Sequence, residues 1–135
     1  MRPVKLLRKV LVWQAALWAA FGLVLLIAPG WVIESVFDQP PLGEEAWLRV
    51  TGVMAIALAG LMVLVSHRVE ELWWWSWTFV ILSVASTVVL MLNALVGVPD
   101  GAASWPWWLL AGVNVGFALV ELAALAQIGT ERPPA

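Results

Sequence analysis

Two ionisable residues, Arg49 and Glu121, sit inside long apolar runs. An Arg, Lys or Asp at the centre of a membrane helix costs about 2.5–3.5 kcal/mol on insertion scales, so residues of this kind are functional candidates by default. Glu121 falls about two turns from one end of its segment, at a depth similar to Gln14 of the first segment. Asn114 lies seven residues earlier, on nearly the same line of the helix. A carboxyl placed there is expected as the neutral acid, donating to Gln14 or Asn114. It then either clamps helices together or carries a proton or cation. Arg49 is about one turn below the opposite surface, on a stripe with Gly52, Ala55, Ile56, Ala59 and Gly60. The stripe predicts an inward-facing guanidinium near Asn93, holding the first outer loop through Glu34 or Asp38, or binding an anionic headgroup. The competing structural role is a snorkelling side chain paired with Glu45, four residues earlier.

The rest of the composition removes chemistry. There is no cysteine or tyrosine and only one histidine. Disulfides, thiolate metal sites and Cys nucleophiles are therefore excluded, and one chain cannot supply two-His ligation of zinc or haem. His67 falls in a turn and reads as a helix-end cation. Basic residues are too few and too dispersed for a nucleic-acid surface. No metal or cofactor is expected, beyond a bound lipid or quinone, and the balance points away from an enzyme.

The elements that must position these residues are membrane helices. The chain is 63% hydrophobic and 12% charged, against about 45–50% and 25% in soluble domains. Apolar segments at about 4–28, 46–66, 72–96 and 105–128 each have roughly the 20 residues that cross a bilayer. The expected fold is an all-α integral membrane protein, one domain over 1–135, in which four transmembrane helices form an antiparallel bundle. The first segment is longer than a signal-peptide core and reads as an uncleaved anchor. The tail 129–135 is expected to be disordered. Six of the seven Lys and Arg residues (Arg2, Lys5, Arg8, Lys9, Arg68 and Arg132) fall on one side of a four-crossing arrangement, leaving Arg49 on the other. By the positive-inside rule both termini are cytoplasmic, and the expected location is the cell inner membrane. Within the first outer loop, Val32/Val36 and Ile33/Phe37 have i,i+4 spacing, which predicts a short interfacial helix on the membrane surface.

Eleven tryptophans calibrate depth. Trp73, Trp74, Trp75 and Trp77 form an inner interface belt, and Trp31, Trp47, Trp105, Trp107 and Trp108 an outer one. Trp13 and Trp18 lie deeper, and Trp18 shares a face with Gln14. Small and polar residues mark inward faces, because lipid is as apolar as leucine. In the first helix these are Ala15, Ala19 and Gly22; in the third, Ser76, Ser83, Ser86, Thr87, Asn93 and Ala94. On the fourth, the Gly112/Gly116 pair lies opposite the Asn114/Glu121 line. If the polar line faces the bundle, the glycines are free for a second copy or another subunit.

The run Trp47-Leu48-Arg49-Val50-Thr51-Gly52, followed by Ala55, Ala57, Ala59 and Gly60, resembles the second helix of small bacterial four-helix membrane proteins of the DoxX-like kind. The resemblance implies a four-helix inner-membrane bundle and carries over only Arg49 and Gly52. Some proteins of that kind are linked to quinone-coupled redox systems. Three functions compete: a non-enzymatic accessory or assembly subunit or homo-oligomer; a proton-coupled small-molecule transporter using Glu121; and a lipid- or quinone-binding subunit of a membrane redox complex.

Overall fold

A computed structural model describes residues 2–131 and the side chains within 4–129. Arg132 and the rest of the tail, 132–135, lie outside the described residues. Every regular element is helical. They are α1 (Arg2–Ile27), α2 (Pro29–Trp31, running on into a wide turn over Val32–Val36), α3 (Ala46–His67), α4 (Val69–Leu72), α5 (Ser76–Leu92) and α6 (Trp105–Glu131). Four helical stretches are long and apolar enough to cross a membrane: Val4–Ile27, Ala46–His67, Val69–Gly97 and Trp105–Gly129. Only 22–33% of each is buried inside the chain, so most of their apolar surface faces outward, as a lipid-surrounded protein requires.

Three boundaries differ from expectation. The turn expected over 66–71 contracts to Arg68, whose non-helical backbone (φ −115°, ψ 34°) separates α3 from α4. The third crossing is not one continuous helix over 72–96. It tightens to a 3₁₀ turn at Trp73–Trp75 and widens to a π turn at Asn93–Gly97. Finally, α6 continues through Glu131, where disorder was expected from residue 129.

Helices α1 and α3 lie side by side in opposite directions, fixed at three levels. Near one end, Arg8 Nε donates to Ser66 O at 3.1 Å. Near the other, Arg49 donates to Leu26 O at 2.9 Å. Each arginine thus satisfies a carbonyl in the last turn of its neighbour, where a cation also meets the negative end of the helix dipole. Between them, Gly22 and Gly52 bring the two backbones together. A Cβ on either would lie 2.6 Å from the carbonyl oxygen of the other. Beyond this pair, α6 packs on both α1 and α5, and α3 makes little contact with α5.

Two cores result. The larger sits toward the end rich in basic residues (Lys5, Arg8, Lys9, Arg68), hereafter the basic end. It joins Leu7 and Leu11 of α1, Met62 of α3, Phe79 of α5 and Leu125 and Ile128 of α6. The smaller, at the acidic end (Glu34, Asp38, Glu44, Glu45, Asp100), packs Val32 and Phe37 onto Leu25, Leu48, Trp107 and Leu110. The α2 segment therefore folds its apolar face onto the helices and caps them. Asp38, in the left-handed region at φ 51°, ends it. Gln39 Nε2 then ties the loop across to Ala103 O at 3.0 Å.

The glycine contact makes a prediction. Gly52→Ala should lower the thermal midpoint in detergent, by overpacking of roughly 1–3 kcal/mol. Gly60→Ala, on the same helix with open space around it, should be neutral or slightly stabilising. Equal effects at the two positions would show that the α1–α3 approach is not tight.

Candidate functional site

The loose contact between α3 and α5 leaves a cavity in the acidic half of the molecule. It has a volume of about 340 Å³ and is walled by all four long helices and roofed by the α2 segment. Its lining is apolar: Leu25 from α1, Val32 and Phe37 from the roof, Leu90 from α5, and Leu110 and Phe117 from α6. Trp18, Thr51, Ser86, Trp107 and Asn114 are the lining residues with polar side-chain atoms.

Two of these carry unsatisfied groups. Trp107 packs against Phe37 with ring centroids 5.1 Å apart, and its Nε1 is buried without a partner. Asn114 Nδ2 donates to Leu110 O at 2.9 Å, which leaves Oδ1 buried and unpaired. Buried polar groups are rarely left so, and each calls for a water, an ion or a ligand. Both atoms are covered by their neighbours, so a molecule in the cavity would reach them only after a side-chain shift.

Deeper, in the basic half, lies a second polar group. Gln14 of α1 is fully buried and donates through Nε2 to Ser83 Oγ of α5 at 2.9 Å. This bond joins two helices that both pack on α6. Thr87 Oγ1 donates to Ser83 O at 2.8 Å, within α5. Glu121 and Ser76 are likewise fully buried. Gln14 Oε1, Ser76 Oγ and both carboxyl oxygens of Glu121 have no partner. Thus Glu121, Gln14 and Asn114 all lie on the inner side of their helices, Asn114 only partly buried.

Arg49 goes elsewhere. It is half exposed, bonded to Leu26 O and 3.3 Å from Glu45, and is not turned toward Asn93. The stripe it shares with Gly52 is correct by angle, but its long side chain bends to the nearest free carbonyl at the end of α1. Glu45 takes the place expected for Glu34 or Asp38. Asn93 folds back on its own turn, with Oδ1 against Gly97. These two residues therefore do not form a common headgroup site.

The tryptophan belts also need correction. Trp31, Trp47, Trp105 and Trp108 are exposed at one end and Trp74, Trp75 and Trp77 at the other, as interface residues are. Trp107 turns inward, and Trp73 packs against the larger core. Trp18 also reaches that core and lines the cavity. Gly112 and Gly116 are exposed, with nothing within 4 Å of a Cβ built on either. Among the described residues, no group of His, Cys, Asp and Glu could hold a metal ion. No family model, curated protein or solved structure matches the chain.

The Gln14–Ser83 bond can be weighed directly. A double-mutant cycle with Gln14→Leu and Ser83→Ala, read by unfolding in detergent, should give a favourable coupling near the ~0.6 kcal/mol average for membrane hydrogen bonds. Zero coupling would mean that the two side chains do not meet.

Proposed function

We propose that the protein is a non-enzymatic, multi-pass membrane protein that holds a lipid-like or quinone-like molecule between its helices. The cavity carries this reading: it is partly open, almost wholly apolar, and lies where α3 and α5 part. An apolar volume of this size is a suitable bed for an isoprenoid or acyl chain. Trp107 and Asn114 add one unpaired donor and one unpaired acceptor on the α6 wall, enough to orient a ligand bearing a single polar group. Its lining has no His, Asp, Glu or Lys to activate the Thr51 or Ser86 hydroxyl, and no metal-ligand cluster occurs among the described residues. In this reading both termini face the cytoplasm, from the distribution of Lys and Arg, and the protein belongs to the cell inner membrane. The DoxX-like resemblance points the same way without adding a residue to the cavity, since Arg49 and Gly52 both lie outside its lining.

A second reading rests on the glycine face of α6. Gly112 and Gly116 present bare backbone outward, the surface through which membrane helices approach closely. An accessory role in a larger complex, or a homo-oligomer, would use this face, and it is compatible with a ligand inside.

Native mass spectrometry after gentle extraction from the host membrane should find an apolar molecule retained by the protein. Ser86→Phe, which fills the cavity from α5, should lose it. A protein that carries nothing, or that carries the same molecule with Ser86→Phe, would overturn the ligand reading. For the glycine face, Gly112→Leu with Gly116→Leu should shift the native mass to that of the single chain. An unchanged mass would remove the second reading.

A further inference from the structure

Among the described residues, six buried side-chain atoms without a partner fall on only five residues, and three of these are evenly spaced on one helix. Trp107, Asn114 and Glu121 are at i, i+7 and i+14 of α6. Successive members are thus about 10 Å apart along one side of the helix. The first two line the cavity. The third lies below it, in the basic half, where the other two unpaired groups, Gln14 Oε1 and Ser76 Oγ, also face the interior.

Glu121 is the one carboxyl that is fully buried among the described residues. No basic side chain is bonded to it. Among the described side chains, the charged groups on the elements packed against α6 are Lys5, Arg8 and Lys9 of α1, all exposed near the basic end; α5 has none. An ionised carboxylate without a cation or hydrogen-bond donors is the most costly group a dry interior can hold. A neutral carboxyl has one O–H to donate, and an oxygen without a donor is available in Gln14 Oε1. Its amide is already oriented, because Nε2 is committed to Ser83. The other unpaired group of this half, Ser76, starts α5 and is placed about 10 Å nearer the basic end than Ser83. Its hydroxyl can both accept and donate, as a step between the interior and water at that end must.

We propose that Glu121 is an intramembrane proton-binding site, steadied by Gln14 and exchanging with water at the basic end through Ser76. The transfer is simple: a proton leaves hydronium, passes by way of the Ser76 hydroxyl or a water bonded to it, and forms the O–H of Glu121; release reverses it. Gln14 and Ser83 position the carboxyl and exchange no proton of their own. The site is independent of whatever fills the cavity, so it stands or falls separately from the ligand reading.

Infrared spectroscopy of the protein in lipid tests this. Wild type should show a neutral-carboxyl C=O stretch that is missing from Glu121→Gln. The band should move to lower frequency after transfer to D2O, and Ser76→Ala should slow that movement severalfold. Isotope-labelled glutamate in wild type assigns the band to glutamate even if the Gln variant fails to fold. Absence of a neutral-carboxyl band would overturn the proposal, because Glu121 would then be ionised. A band that never moves in D2O would also overturn it, leaving a sealed structural clamp. An exchange rate unchanged in Ser76→Ala would overturn the assigned route.

Discussion

The contact between Gly22 and Gly52 governs the arrangement. Two helix backbones can touch only where neither carries a Cβ, and here the carbonyl of each glycine occupies the space the other's side chain would need. Arg8 and Arg49 then close the two ends of the same pair, each on the other helix's free carbonyl. Drawn so tightly to α1, α3 makes little contact with α5. The space so left is the cavity. Its roof, the α2 segment, follows from the same pairing, because Arg49 secures the end of α1 from which α2 departs.

The polar groups are arranged in two tiers with different consequences. Near the ends, arginine and glutamine side chains satisfy backbone carbonyls of helix ends and loops. In the interior, one amide–hydroxyl bond joins α1 to α5, Thr87 and Asn114 each bond a carbonyl of their own helix, and six side-chain atoms among the described residues lack protein partners. That concentration of unsatisfied groups is unusual for a chain with so few polar residues. Three of the five residues fall on the inward side of α6, from the cavity toward the basic end, with one more on each of α1 and α5.

Much of this is legible in the sequence, for a reason specific to membranes. Apolar side chains do not distinguish lipid from protein, so Gly52, Ser83, Asn114 and Glu121 report the inward faces through their spacing alone. The four crossings follow from length and hydropathy. Side-chain reach is not legible. Arg49 lies at the angle of an inward residue, yet its four-bond stem carries the guanidinium to Leu26 O. Trp107 shares its composition and position with the belt residues. It turns inward because Phe37 arrives from a loop seventy residues earlier, a pairing no local pattern encodes. The same pairing seats the α2 segment on the ends of the helices. The changes of pitch around α5 also leave no periodic signature, since tryptophan and asparagine suit an α-helix, a 3₁₀ turn or a π turn alike.

The central claim is that apolar molecules from the bilayer reach the space between α3 and α5. Photolabelling with a diazirine-bearing lipid, followed by peptide mapping, tests it most directly. Insertion at Ser86, Leu90 and Leu110, which line the cavity, is the predicted result. Insertion confined to outward residues such as Ile81, Val89 and Leu119, which are 60–66% exposed, would contradict it.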